Sequence, residues 1–164
     1  MKSGSKFCPI MVCVLLGAIA FGYVQAQEPV ILFTPQEAGE LRMSDKELQS
    51  LPRPRAVSLG PQILIKSPVV KNTENGPMIE SGSPLTFSVL FKDSRSPVDM
   101  NSLDIKAKKG IFSKSLTERL KPYIQGTALE AKSVEIPEGK FRIEISIADK
   151  SGMKTVESYV LVVK

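Results

Sequence analysis

Histidine and tryptophan are absent from this chain, and its two cysteines, Cys8 and Cys13, both stand near the start. Without histidine there is no usual general base, no Ser-His-Asp triad and no histidine metal site. Both cysteines fall in a segment expected to be removed. The mature chain would then have no disulfide, thiol nucleophile or cysteine-ligated metal. Small exported animal domains often rely on disulfides, so this lack points to a bacterial periplasmic or secreted protein held by its core alone. Aromatics make up only 6% of residues. That weakens a sugar-binding role through exposed rings, for which Tyr123 and Tyr159 are the plausible surface positions.

An excess of charge is also missing. The formal net charge of +5 falls to about +3 once Lys2 and Lys6 are removed, too mild to argue for nucleic acid. No D-x-[DN]-x-[DN]-G loop occurs. The acidic candidates for calcium are Asp93, Asp99, Asp104 and Asp149, of which Asp99 and Asp149 read more easily as turn formers. Neither a metal nor a cofactor is expected. Ser151-Gly152-Met153-Lys154 matches the S-x-x-K string of penicillin-binding proteins. Here it falls in a predicted hairpin turn, where Lys154 is solvated, and the partner motifs S-D-N and K-T-G are missing. No residue is assigned a catalytic role, and the chain reads as a non-enzyme.

What is present begins with a targeting segment, residues 1–26. Lys2 and Lys6 supply a positive start, Ile10 to Val24 is an uncharged apolar run, and Val24-Gln25-Ala26 is an A-x-A-like site. Cleavage before Gln27 would release a periplasmic or secreted protein. An uncleaved membrane anchor is the competing reading, since the run is close to the length that spans a bilayer.

Residues 27–59 form a second region. Ser44-Asp45-Lys46-Glu47 is a capping box, with Met43 and Leu48 placed as a hydrophobic staple. Pro52 and Pro54 end the helix, and Leu51 to Leu59 reads as an extended linker. The region is expected to lie as a strap on the following domain, the alternative being an arm that grips a partner.

Residues 60–164 show period-two alternation. Ile63 and Ile65 mark a first strand closed by Ser67-Pro68, and Leu85, Phe87, Val89 and Phe91 share one face of a second. Leu103, Ile105 and Ala107 alternate with Asp104, Lys106 and Lys108 in a third, and Leu129 to Ile136 is a weaker fourth. Phe141 to Ile147 alternates most clearly and returns through Asp149-Lys150-Ser151-Gly152 to a strand over Thr155 to Val163. Asn72 to Pro84, rich in Gly, Pro, Asn and Ser, reads as loop. Ser115-Leu116-Thr117-Glu118 reads as a second capping box opening a short helix whose Leu116 and Leu120 share a face. The pattern predicts an all-β fold, a sandwich of about seven strands with short helices.

Lys106, Lys108, Lys109, Lys114, Arg119 and Lys121 form the one basic concentration. They are a candidate patch for an anionic surface such as lipid headgroups or cell-wall polymer. The plainer reading is a solvated face whose lysines block edge-to-edge pairing.

Ile136-Pro137-Glu138-Gly139-Lys140-Phe141, leading into Ile143, Ile145 and Ile147 and then Asp149-Lys150-Ser151-Gly152, resembles the end of bacterial immunoglobulin-like domains. Pro97-Val98-Asp99-Met100-Asn101-Ser102-Leu103 resembles a segment of uncharacterised exported proteins that carry such domains. The resemblance covers about residues 60–164 and implies an immunoglobulin-like sandwich used extracytoplasmically for binding, spacing or assembly. Its motifs specify turns and not chemistry. The leading expectation is a periplasmic module that binds another envelope protein. The alternative is a module for cell-wall glycan or an anionic surface.

Overall fold

Alternation of apolar and polar residues lets a strand bury one face, and two such sheets bury their faces against each other. A computed structural model describes residues 29–50, 58–74 and 76–164. The expected signal peptide, its cleavage site and most of the Leu51–Leu59 linker lie outside them. In chain order the elements are β1 (Val30–Ile31), α1 (Pro35–Leu41), α2 (Asp45–Gln49), β2 (Gln62–Ser67), β3 (Val70–Thr73), β4 (Gly76–Ser81) and β5 (Leu85–Lys92). There follow β6 (Val98–Lys109), β7 (Phe112–Ser115), α3 (Thr117–Leu120), a 3-10 turn (Lys121–Tyr123), β8 (Ile124–Gln125), β9 (Ala128–Glu135), β10 (Gly139–Asp149) and β11 (Lys154–Val163).

One sheet has the order β1-β9-β5-β2, with β8 also on β9; the other has the order β3-β4-β11-β10-β6-β7. The fold is all-β with two sheets in a sandwich arrangement, as the alternation predicts. Phe141, Ile143, Ile145 and Ile147 of β10 are buried, as are Leu103, Ile105 and Ala107 of β6. From the other sheet Leu85, Val89 and Phe91 of β5 and Leu129, Ala131 and Val134 of β9 join the same core.

Four expectations need correction. Asn72 to Pro84 is not all loop, because β3 and β4 occupy much of it. Met78 to Ser81 pair in parallel with Val160 to Val163 of β11, so long-range backbone partners override a turn-rich composition. Ser115 does not cap a helix. It lies in the β6–β7 ladder opposite Lys106, and α3 starts without a side-chain cap. Leu116 and Leu120 do share the buried face expected of them. The lysines of β6 do not guard an edge, because β7 covers that strand. Finally, Tyr159 is buried and Tyr123 packs against the core, so neither ring is an exposed platform.

The described part of the N-terminal region is woven into the sandwich. Val30 and Ile31 pair in parallel with Val134 and Glu135. Leu32, Phe33, Ala38, Leu41 and Met43 are buried, and Phe33 stacks on Phe141 with ring centroids 4.9 Å apart. Both helices of this region start with a complete capping box, Thr34 with Glu37 and Ser44 with Glu47. The first went unread in the sequence, although Thr34-Pro35-Gln36-Glu37 carries the cap, the N1 proline and the N3 glutamate together.

Candidate functional site

Charge is the first place to look for a site, and the six candidate basic residues all have partners. Lys106 meets Asp104 at 2.5 Å, Lys108 meets Glu144 at 2.7 Å and Lys121 meets Glu118 at 3.9 Å. Lys109 donates to the Arg42 carbonyl at 2.7 Å and approaches Glu47 at 3.7 Å. Lys114 lies 2.9 Å from Glu37. Arg119 holds both oxygens of Glu37, at 2.8 and 2.9 Å, and donates to the Leu32 carbonyl at 2.5 Å.

The six residues therefore do not form one patch of free cations. Lys106 and Lys108 project from a sheet face, while Lys114 and Arg119 converge on Glu37 of α1. That carboxylate also accepts the Thr34 amide at 3.0 Å. The bidentate bond from Arg119, then the Thr34 amide, hold the Glu37 carboxyl far below the usual range. Sequence reasoning found the cations but missed this acceptor, which lies 82 residues from Arg119 in the chain.

The acidic candidates are turn and pairing residues. Asp93 accepts the Val98 amide at 2.8 Å, Asp99 accepts the Asn101 amide at 3.1 Å, and Asp104 pairs with Lys106. Asp149 accepts from the Ser151 hydroxyl at 2.6 Å and from the amides of Ser151 and Met153, both at 2.9 Å. These bonds, the Ser151 hydroxyl foremost, lower its pKa. Its second oxygen is buried without a partner. No group of three or more metal-type ligands gathers among the described residues. Ser151 and Lys154 sit where turn chemistry places them: Ser151 bonds to Asp149, Gly152 has a φ of +86° and Lys154 opens β11 exposed.

Space gives a different answer. Between the β2 edge of one sheet and the β3–β4–β11 side of the other lies an apolar groove of about 420 Å³. Ile63, Ile65, Val70 and Tyr159 form its lining, with Leu64 and Val156 at its mouth and Asn72, Glu157 and Ser158 as polar rim. Leu64 is 37% exposed and Val156 47% exposed. The Tyr159 hydroxyl donates to the Glu157 carboxylate. Burial, and then that carboxylate, push the phenol pKa up.

The groove borders a strand edge. Residues Gln62 to Ile65 pair in register with Lys92 to Val89 of β5, and the pairing slips at Lys66. On its other side β2 pairs with no strand among the described residues. A bulge and a lysine guard one end of this edge, and the stretch from Gln62 to Ile65 has no strand beside it among the described residues. The alternation of β2 was legible in the sequence. Its position at an edge was not, because edge position depends on which strands fail to arrive.

Among the described residues no helix is long and apolar enough to cross a membrane. No family model and no curated protein matches the chain. Among solved structures it is similar to the crystal structure of CopC from Methylosinus trichosporium OB3b, at 12% sequence identity and a TM-score of 0.37, over 63% of this chain and 94% of that one. So slight a likeness carries no argument, and the function rests on the geometry above.

Proposed function

We propose that this chain is an exported, non-enzymatic module that binds another envelope protein. A partner's extended segment would lie along Gln62 to Ile65 and place apolar side chains in the neighbouring groove. The observation that carries the reading is the coincidence of a strand edge unpaired among the described residues with an apolar groove and two exposed aliphatic side chains. Main-chain pairing supplies affinity in such an arrangement, and the pockets beside it supply specificity. Export is supported by Lys2 and Lys6 ahead of the Ile10–Val24 run and by the small residues before Gln27.

The immunoglobulin-like reading of residues 60–164 belongs to the same proposal and draws support from strand order. β2, β5 and β9 lie together, β11, β10 and β6 lie together, and β4 joins β11 in parallel. That order resembles the two-sheet arrangement of immunoglobulin sandwiches and supports the reading. The anionic-surface alternative draws on another place, the β6–β7 hairpin at the opposite edge of the six-stranded sheet.

The test is a photoreactive residue at position 64 in a C-terminally tagged chain, cross-linked in cells. The captured protein, purified, is expected to bind the exported chain saturably and to lose that binding with Leu64→Arg. Mass spectrometry of the mature N-terminus is expected to find Gln27. Absence of any saturable protein partner overturns the reading.

A further inference from the structure

The β6–β7 hairpin carries a feature that neither the fold nor the groove requires. Lys109 pairs with Phe112, so the loop consists of Gly110 and Ile111 alone. Gly110 has a φ of +57°, and a two-residue turn with glycine first needs that freedom. The second loop position has no such demand and would accept a polar residue. It holds instead Ile111, which is 95% exposed, followed by Phe112 at 64%. All four residues of β7 are exposed, so burial in the core does not account for this apolar pair.

The sequence around the pair is basic, although in the fold Glu144, Glu47 and Glu37 meet Lys108, Lys109 and Lys114. Residues 105–117 contain Lys106, Lys108, Lys109 and Lys114 and no aspartate or glutamate. Strand alternation puts Lys109 and Lys114 on the face that Phe112 occupies and Lys108 on the other. An exposed apolar tip ringed by cations on both faces matches the two layers of an anionic bilayer, hydrocarbon beneath phosphate. A protein partner for the tip would be met by the same apolar pair but gives no reason for lysines on both faces.

We propose that this hairpin docks the protein on an anionic phospholipid bilayer, with Ile111 and Phe112 entering the acyl region and Lys108, Lys109 and Lys114 holding headgroup phosphates. The lysines' present partners do not prevent it. The lysine ends of these pairs are partly exposed and can exchange partners at modest cost, and Glu37 keeps its bidentate bond to Arg119 when Lys114 leaves. The tip lies at the edge of the six-stranded sheet opposite β3, so docking leaves the groove accessible.

The absence of tryptophan makes the test specific. Phe112→Trp in the full chain introduces a single indole that reads the tip alone, whatever the Ile10–Val24 run does. On vesicles of three parts phosphatidylcholine to one of phosphatidylglycerol its emission is expected to shift to the blue and to be quenched by brominated acyl chains. On pure phosphatidylcholine, or with inorganic phosphate, no shift is expected. In that background Ile111→Ser is expected to weaken the anionic-vesicle response about tenfold, and Lys108→Gln about fivefold. Leu64→Arg is expected to leave it unchanged, so the outcome is independent of the groove. Emission that stays at its solvent wavelength on anionic vesicles overturns the proposal. So does an equal shift on neutral vesicles, and so does a shift produced only by a protein partner.

Discussion

The two sides of this sandwich are finished in different ways. On one side, β1 and β8 cover the outer edge of β9, while α1, α3 and the residues leading into them bring Leu32, Phe33, Ala38, Leu41, Leu116 and Leu120 into the core. Glu37 fastens this side by accepting from Arg119, Lys114 and the Thr34 amide. On the other side, β2 has no second neighbour among the described residues, and Leu64 and Val156 are left at the mouth of a groove. Both sides are built from the same alternation of aliphatic residues. They differ in that an N-terminal segment arrives to seal one of them. Stability should concentrate on the sealed side and recognition on the open one.

The strongest break in that comparison is Phe33→Ala. Phe33 is 1% exposed and stacks on Phe141, which is fully buried. Removing the ring leaves a cavity that backbone strands cannot close, and the expected loss is about 3–5 kcal/mol of unfolding free energy. Val156→Ala on the open side is expected to cost about 0.5 kcal/mol or less. Denaturant unfolding of the two variants measures the contrast, and equal losses would abolish it.

Glu37→Gln is expected to cost about 2 kcal/mol near neutral pH, because it leaves Arg119 without its charged acceptor. The pH dependence has a definite sign. The folded-state pKa of Glu37 is depressed below its ordinary 4.5, so its contribution is fully present above that value and is lost as pH falls below it. The gap between wild type and variant should therefore hold from pH 6 to about pH 5 and narrow from there towards pH 2. A gap that stays constant would show that the carboxylate does not fasten this side.

Gly60→Ala tests the seam at the start of the open side. A Cβ at Gly60 would stand 2.5 Å from the Met153 carbonyl oxygen and 2.9 Å from backbone carbons of Met153 and Lys154. Backbone cannot step aside as a side chain can, so the expected cost is about 1–3 kcal/mol. The buried Thr155 hydroxyl, which donates to the Pro61 carbonyl at 2.6 Å, holds the same seam. Thermal melting reads the loss, and a neutral result would mean that the seam is loose.

How much of this was legible in the sequence follows from the range of the forces involved. The alternation of Phe141 to Ile147 and the turn at Asp149 to Gly152 are local, and β10, β11 and their connection lie where those signals put them. β4 was read as loop because Gly76, Pro77 and Ser81 look like turn residues, and its strand character comes from Met78 to Ser81 docking on β11 far along the chain. Ser115 carried a valid capping signal that lost to its ladder position opposite Lys106. The six basic residues were found, but not the acceptors of Lys108, Lys109, Lys114 and Arg119, since Glu37, Glu47 and Glu144 reach them only through folding. The groove was invisible for the same reason: Ile63 and Ile65 mark a strand and Tyr159 reads as a surface ring, and only the assembled sheets leave a gap among them.

The smallest expected effect on stability is also the sharpest on function. Leu64→Ser removes an aliphatic group that is already more than one-third exposed, at a strand edge with no neighbour among the described residues. Unfolding free energy should change by about 0.5 kcal/mol or less. Binding of the partner captured at position 64 should weaken at least tenfold, because a side chain at the mouth of a pocket beside a pairing edge contributes to the complex and not to the free fold. Isothermal titration beside a melting curve separates the two quantities. A variant that melts normally and binds normally would move recognition away from the open side. One that melts early would make Leu64 part of the core, and the division between a sealed side and a binding side would fail.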